Sequence, residues 1–511
     1  MNDWSAGYVD DISYTYGYYK ELNPLWLRLA FLNKGLQAPK VKSACELGYG
    51  QGVSINLHAA GSDVEWHGTD FLPAQASFAQ ELAAVCASGA QLTDESFEQY
   101  ALRDDLPMFD FIALHGIWSW VSAENRQHIV NFLKARLAVG GVLYISYNTQ
   151  PGWASFAPIR HLMSQHSDLM SGKALGTIKK VGGAVDFISQ MIKTKPGFVN
   201  AVPNAQKRFD KISKQSPDYL AHEYFNRSWT PMYFSEVAEA LQEAKLQFAC
   251  SATLMDHIDS LNLTPEQQSF LRDIPDEHFK EGVRDLMVNQ MFRRDFWVKG
   301  LRTIPTAEAI SQVREQRVVL VASAPNGPLK ITANLGEAEA DPAIYKPIFD
   351  VMNDFQPRSI GEIEKSVVQK GLNFGKLMQA ILVLAHSSYL QQAQDEKTIA
   401  KQKEKTDKLN RAILLKSRNA EQINYLVSPV TGGGIKAPRF MQLFMLATHE
   451  GMNNEEQLAR YVSTILAQQG QKITREGKLL ETEAEILADL SRSAKDFLNS
   501  QLPILKALKV I

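Results

Sequence analysis

The chain has 511 residues, 45% of them hydrophobic, with 54 basic side chains against 56 acidic ones and a formal net charge of −2. Such a length divides into about three domains with ample core, and the balanced charge excludes both a grossly basic nucleic-acid binder and a polyacidic solvating chain. Three scattered cysteines, Cys45, Cys86 and Cys250, form no CxxC pair, which points to a reducing, cytoplasmic setting rather than a disulfide framework. The start, Met1-Asn2-Asp3-Trp4 followed by Asp10 and Asp11, has neither the positive charge nor the apolar run of a secretory signal. No stretch reaches the ~18 uninterrupted apolar residues of a membrane span. The expectation is a soluble, cytoplasmic protein.

In chain order, residues 41–47 predict a strand that ends in a glycine turn, and residues 54–60 a helix. Residues 64–69 predict a second strand, 73–88 a helix, 90–92 a third strand and 109–114 a buried fourth. Residues 124–137 predict an amphipathic helix, broken by Gly140-Gly141, and 142–147 a fifth strand. Strands alternating with helices predict an α/β fold, a Rossmann-like parallel sheet with helices on both faces. Residues 151–227 read as an irregular helical insertion, broken by Pro158, Gly172, Gly182-Gly183, Pro196 and Pro203. Residues 232–244 predict a helix, and 246–254 and 296–298 two closing strands, so the first domain runs over 1–300, its last part (228–300) a distinct segment.

Beyond it, residues 318–321 and 329–332 predict a hairpin about Pro325-Asn326-Gly327. Three short helices follow at 345–354, 359–370 and 374–386, so 301–395 reads as a winged-helix-like domain. Residues 397–418 hold eight Lys or Arg against one Glu and one Asp; they read as a solvated helix face or as a partner for an acidic surface. Residues 427–434 read as a Pro/Gly loop, and 396–511 as a mainly α domain.

Chemistry concentrates at Cys45-Glu46-Leu47-Gly48-Tyr49-Gly50-Gln51-Gly52, between a strand and a helix. Glycines at 48, 50 and 52 let the chain turn tightly and let a ligand approach the backbone. A dinucleotide fingerprint needs glycine at 53, where Val53 stands. The GxGxG spacing, with Glu46 two positions before its first glycine, suits a ligand without pyrophosphate and with a cationic end. S-adenosyl-L-methionine is such a ligand. Asp70, at the end of the second strand with Phe71 after it, is placed to accept from a ribose diol; otherwise it caps a helix at the surface. Glu95 and Ser96 follow the third strand, where a polar group meets an adenine amino group; a helix N-cap is the competing role. His115, Gly116 and Trp118 end the fourth strand and are expected to face the cofactor, Trp118 in preference to Trp120. No His, Cys or acidic set has metal-ligand spacing: His222-Glu223 does not start HExxH, because position 226 is Asn226.

These motifs resemble the class I S-adenosylmethionine-dependent methyltransferases, and in particular bacterial enzymes that carry a methyltransferase regulatory domain. The likeness rests on Phe109 to Gly116, Ser119-Trp120-Val121, Ser146-Tyr147-Asn148 through Trp153, Ala221-His222-Glu223-Tyr224, Tyr233-Phe234 and Phe292-Arg293-Arg294-Asp295. It covers residues 8–300 well and the rest loosely. The resemblance implies a seven-stranded sheet and a relation to rickettsial enzymes that methylate lysines of outer-membrane proteins. It therefore implies in-line methyl transfer to lysine Nε, with a protein substrate met before export. Methyl transfer needs alignment more than a strong catalyst, and a lysine acceptor must lose a proton. Tyr14 and Tyr16, in an aromatic N-terminal segment, are expected to fold over the cofactor, Tyr14 in a catalytic role. Tyr147 and Glu223 are the other catalytic candidates, each with a structural alternative. Two other functions compete: methylation of a small molecule or glycan precursor, and a non-catalytic, cofactor-dependent scaffold. Nucleic acid is disfavoured, because His115-Gly116-Ile117-Trp118 stands where an Asn-Pro-Pro-aromatic tetrapeptide would. Residues 301–511 carry no readable chemistry and leave substrate docking or homodimerisation as roles.

Overall fold

The computed structural model describes residues 15–172, 175–475 and 478–511. Its centre is a seven-stranded sheet of β1 (Ser43–Leu47), β2 (Glu65–Thr69), β3 (Gln91–Thr93), β4 (Phe109–Leu114), β5 (Leu137–Asn148), β6 (Gln247–Ser251) and β7 (Phe292–Val298). The strand order is β3-β2-β1-β4-β5-β7-β6, parallel except for β7, which runs against both β5 and β6. The order reverses between β1 and β4, where ligands settle beyond the carboxyl ends of strands. β4 reads as a continuous apolar run because helices cover both faces; Phe109, Phe111, Ile112, Ala113 and Leu114 are all fully buried.

Helices α1 (Pro24–Asn33), α2 (Val53–Gly61), α3 (Pro73–Cys86), α4 (Phe97–Ala101) and α5 (Ala123–Arg136) follow in order. Local chemistry sets their starts. Asn23 caps α1 ahead of Pro24, Ser96 and Gln99 form a capping box on α4, and Ser122 caps α5.

Two strands outgrow their sequence expectation. β5 starts at Leu137 and runs through Gly140-Gly141, because Gly140 adopts φ +81° and donates to Lys299 O at 2.7 Å. β7 starts at Phe292, since Arg293 and Asp295, which look like surface charges, are 5% and 1% exposed. Among the described residues the insertion holds five helices between Ala157 and Tyr224, with their own core around Phe156, Ile188 and Phe209.

The C-terminal half corrects two expectations. The strands at 318–321 and 329–332 exist but do not pair. They are β8 (Arg317–Leu320) and β9 (Lys330–Ala333), followed by β10 (Gly336–Glu339), β11 (Arg358–Ser359) and β12 (Leu390–Gln392). β9 pairs with β10, and β8 lies between β11 and β12. Val318, Val319 and Leu320 are at most 1% exposed, and three consecutive buried residues need a central strand, which a hairpin edge does not provide. The expected loop at 427–434 is a second hairpin, β13 (Tyr425–Ser428) with β14 (Gly433–Lys436).

The basic stretch forms the helix Glu396–Lys416. Its apolar face, Ile399, Leu409, Ile413 and Leu414, joins the core that covers α2 and α3. The acidic surface it meets is the chain's own: Lys401 pairs with Asp63 and Lys416 with Glu81, both at 2.8 Å. Sheet below and hairpin above bury α2 along its whole length. A Cβ on Gly61 would lie 2.9 Å from the Gly432 backbone.

Candidate functional site

The glycine turn after β1 is left-handed three times: φ is +72° at Gly48, +58° at Gly50 and +67° at Gly52, a region that only glycine enters freely. Space is as tight as the backbone. A Cβ on Gly48 would fall 2.3 Å from Ile117 Cδ1, and one on Gly52 would fall 2.3 Å from Ala79 Cβ. Asp70 ties the turn to β2. Its Oδ2 accepts from Gly50 N–H at 2.8 Å and its Oδ1 from Leu72 N–H at 3.1 Å. Tyr49 reaches across to β3, donating to Thr93 O at 2.7 Å.

Glu46 is 2% exposed, and its Oε2 has no hydrogen-bond partner among the described residues. Burial first, then the nearby Asp70 charge, pushes its carboxyl up to about 8. Asp70 is pushed up to about 6 by burial, and the Leu72 and Gly50 amides hold it back from rising further. Two acids thus meet at adjacent strand ends, and among the described residues no basic side chain bonds either. At the end of β4, His115 Nδ1 lies 2.8 Å from Tyr144 Oη, and the ring stacks on Tyr19 with centroids 3.5 Å apart. Burial, helped by Arg294, pushes it down to about 3, so the imidazole is neutral. Gly116 turns left-handed and donates to Ser146 Oγ at 2.8 Å.

These groups enclose a cavity of about 330 Å3, floored by Gly48, Gly50, Asp70 and Phe71 and walled by Glu95, Ser96, His115 and Gly116. The end of the insertion closes it with His222, Glu223 and Asn226, and Ser228 follows them on the wall. A recess of about 20 Å3 continues past His115 to Glu46, Gly52 and Tyr19.

Residues 216–299 match the family model described as a predicted methyltransferase regulatory domain. An uncharacterised protein of the cyanobacterium Synechocystis is 39% identical over 513 residues, which is 99% of each chain. PKMT2 from Rickettsia typhi, solved in complex with AdoHcy, has the same fold. Its TM-score is 0.70 at 19% identity, over 97% of this chain and 99% of that one. The chain belongs to one family with the Synechocystis protein and carries, over residues 216–299, the segment described as a predicted methyltransferase regulatory domain. A protein of Rickettsia prowazekii, also uncharacterised, is 25% identical over 291 residues, 56% of this chain and 51% of its own.

The cavity gathers most of the residues singled out from sequence. Gly48, Gly50, Asp70, Phe71, Glu95, Ser96, His115 and Gly116 line its main part; Glu46 and Gly52 line the recess. Several hold structural positions at the same time. Glu95 pairs with Arg103 at 3.0 Å, and Ser96 caps α4 by accepting from Gln99 N–H at 3.2 Å. Glu223 stands on the cavity wall, and burial raises its carboxyl above the usual range.

Three residues stand elsewhere. Trp118 is fully buried in the apolar layer with Ile129 and Leu133, while Trp120 lines the cavity. The cause is the left-handed turn at Gly116, which sets Ile117 over Gly48 and sends Trp118 into the core. Tyr16 packs edge-on against Phe78 at 5.3 Å and lines neither cavity; Tyr19, three residues on, lies against His115 instead. Tyr147 is 1% exposed and donates to Asp295 Oδ2 at 2.8 Å, away from the cavity. Tyr14 lies outside the described residues. Of the residues on that segment, sequence reasoning put Glu223 at the site but weighed His222 and Asn226 only as a zinc motif, because nothing local shows how much of a distant segment closes over the glycine turn.

Proposed function

We propose that the chain is an S-adenosylmethionine-dependent methyltransferase whose acceptor is the Nε of a protein lysine. The observation that carries the cofactor is Glu46: a buried carboxyl group with one oxygen unpartnered among the described residues, at the closed end of a glycine-lined recess. An unpaired buried acid is costly, and the α-ammonium of an amino-acid moiety would relieve that cost. Asp70 fits a ribose diol, because a carboxylate accepts more bonds than the two backbone amides supply. Phe71, Glu95 and Ser96 suit an adenine edge. Bound there, S-adenosylmethionine supplies an electrophilic methyl on a sulfonium.

The chain's own part is alignment and charge. The glycines keep side chains out of the recess. The neutral His115 stacked on Tyr19 makes a wall that does not repel a cation. Glu223 can hold the acceptor amine or take its proton, a role its raised affinity for protons favours. Tyr19 also borders a second cleft of about 680 Å3, which runs from Glu21 and Arg294 to Lys436, Met441 and Asp496 on the C-terminal modules. So large a cleft between modules suits an extended polypeptide better than a small acceptor. The motif resemblance to rickettsial lysine methyltransferases supports the same acceptor, a protein met in the cytoplasm before export. A small acceptor remains the second reading, favoured by His222 and Glu223 closing over the cavity.

Calorimetric titration with S-adenosylmethionine, beside Glu46→Gln and Asp70→Ala variants, tests the cofactor. Micromolar binding that collapses in both variants is expected; no binding by the wild type would sink the reading. Transfer of labelled methyl to polypeptides but not to free amines is the result expected for the acceptor.

A further inference from the structure

A second charged cavity, of about 690 Å3, lies over the β6–β7 face of the sheet, lined mainly by the regulatory segment with Lys34, Leu301 and Asn334 at its margin. It shares no lining residue with the cofactor cavity. Its inner wall is built on Arg293, 5% exposed. The guanidinium gives Nε to Asp295 at 2.8 Å, Nη1 to Asp285 at 2.6 Å and Nη2 to Glu281 at 2.7 Å. One cation thus serves three carboxylates.

Asp285 and Asp295 are 3% and 1% exposed. Each spends one oxygen on Arg293, and the other oxygens, Asp285 Oδ2 and Asp295 Oδ1, have no partner among the described residues. Both residues line the cavity. A buried acceptor left unmade is costly, more so when charged. Nearby basic groups are already committed: Arg284 pairs with Asp259 and Lys280 with Glu277, each at 2.7 Å. The other two on the lining, Lys34 and Arg272, are exposed to solvent. Burial and the neighbouring acids accordingly push Asp285 up to about 7 despite the guanidinium. A metal does not fit, since the described residues hold no group of three or more metal-ligating side chains.

We propose that this cavity is a binding site for a small organic cation, an aliphatic ammonium or guanidinium compound that donates to Asp285 and Asp295. Such a ligand supplies the N–H donors that Arg293 cannot and balances the surplus acid. It would also reach the sheet: Asp295 accepts from Tyr147, two residues before Thr149, whose N–H bonds Met291 O at 3.0 Å.

The test is calorimetry of the full chain with agmatine and with putrescine, each repeated under saturating AdoHcy. Expected is saturable binding that AdoHcy leaves unchanged and that weakens at least tenfold in Asp285→Asn. Glu281→Gln, at the more accessible edge, guards against a folding defect in the first variant and should weaken binding several-fold. Absence of saturable binding by the wild type overturns the proposal. So does binding that AdoHcy abolishes, which would place the cation at Glu46, or binding that both variants retain. Failure of AdoHcy itself to bind would count against the cofactor site and leave this site standing.

Discussion

The glycine-turn end of the sheet and the C-terminal modules put their buried polar groups to different uses. Around the glycine turn a carboxylate oxygen of Glu46 is left unmade, and three left-handed glycines hold space open. In the C-terminal core, Asn410 donates to Val427 O and Val510 O and accepts from Val427 N–H. Arg439 there meets four acceptors, among them Ser417 O at 2.8 Å. The first region gives up stability to leave room for a ligand; the second uses its polar groups to fix a scaffold. The two are continuous, because the scaffold covers α2, which carries the glycine turn.

That contrast can be broken outright by removing residues 301–511. The deletion strips the cover from α2, and the expected result is aggregation with loss of AdoHcy binding, read by size-exclusion chromatography and calorimetry. A soluble fragment that binds normally would make the C-terminal modules independent of the site, as a docking role alone requires. Next in size is Gly52→Ala, which demands both a positive φ and 2.3 Å from Ala79. It should cost about 2–4 kcal/mol in denaturant unfolding.

Glu46→Gln sharpens the contrast by moving stability and binding in opposite directions. It should weaken AdoHcy about 10–100-fold, the range for a charge-assisted bond. Because burial raises the Glu46 carboxyl from 4.5 to about 8, the folded state holds a proton that the unfolded state releases. The wild type therefore loses stability as pH rises through this window, and Glu46→Gln should melt higher than the wild type at about pH 8. Ligand affinity runs the other way. An ammonium pairs with the ionised acid, so the wild-type dissociation constant should fall from about pH 6 to about pH 8 and stay flatter in the variant. Smallest of all, Lys416→Ala and Lys401→Ala remove exposed pairs and should change stability by under about 1 kcal/mol.

The parallel strands and the glycine turn were legible because their signals are local: apolar runs buried on both faces, and glycines where φ must be positive. Trp118 and Trp120 were harder. They lie two residues apart after a strand, and only the turn at Gly116 decides which one meets the cavity. Arg293 and Asp295 hid the length of β7, since a charged residue reads as exposed until its partners, Asp285 and Glu281, arrive from another element. β8 and β9 were found but mispaired, because the true partners of β8 lie some 40 and 70 residues further along the chain. The closing of the cavity by His222 and Glu223 is non-local in the same way.

The cover on α2 also imposes an order in time. Gln394 donates to Gly61 O across 333 residues at 2.7 Å, and Gly432 seats against Gly61 later still. At synthesis rates of roughly 5–20 residues per second, the glycine turn and its helix leave the ribosome roughly 15–70 s before the surface that buries them. For that interval the nascent chain carries the apolar outer side of α2 bare, and the cover over the glycine turn's helix is finished only once Gly432 has been made.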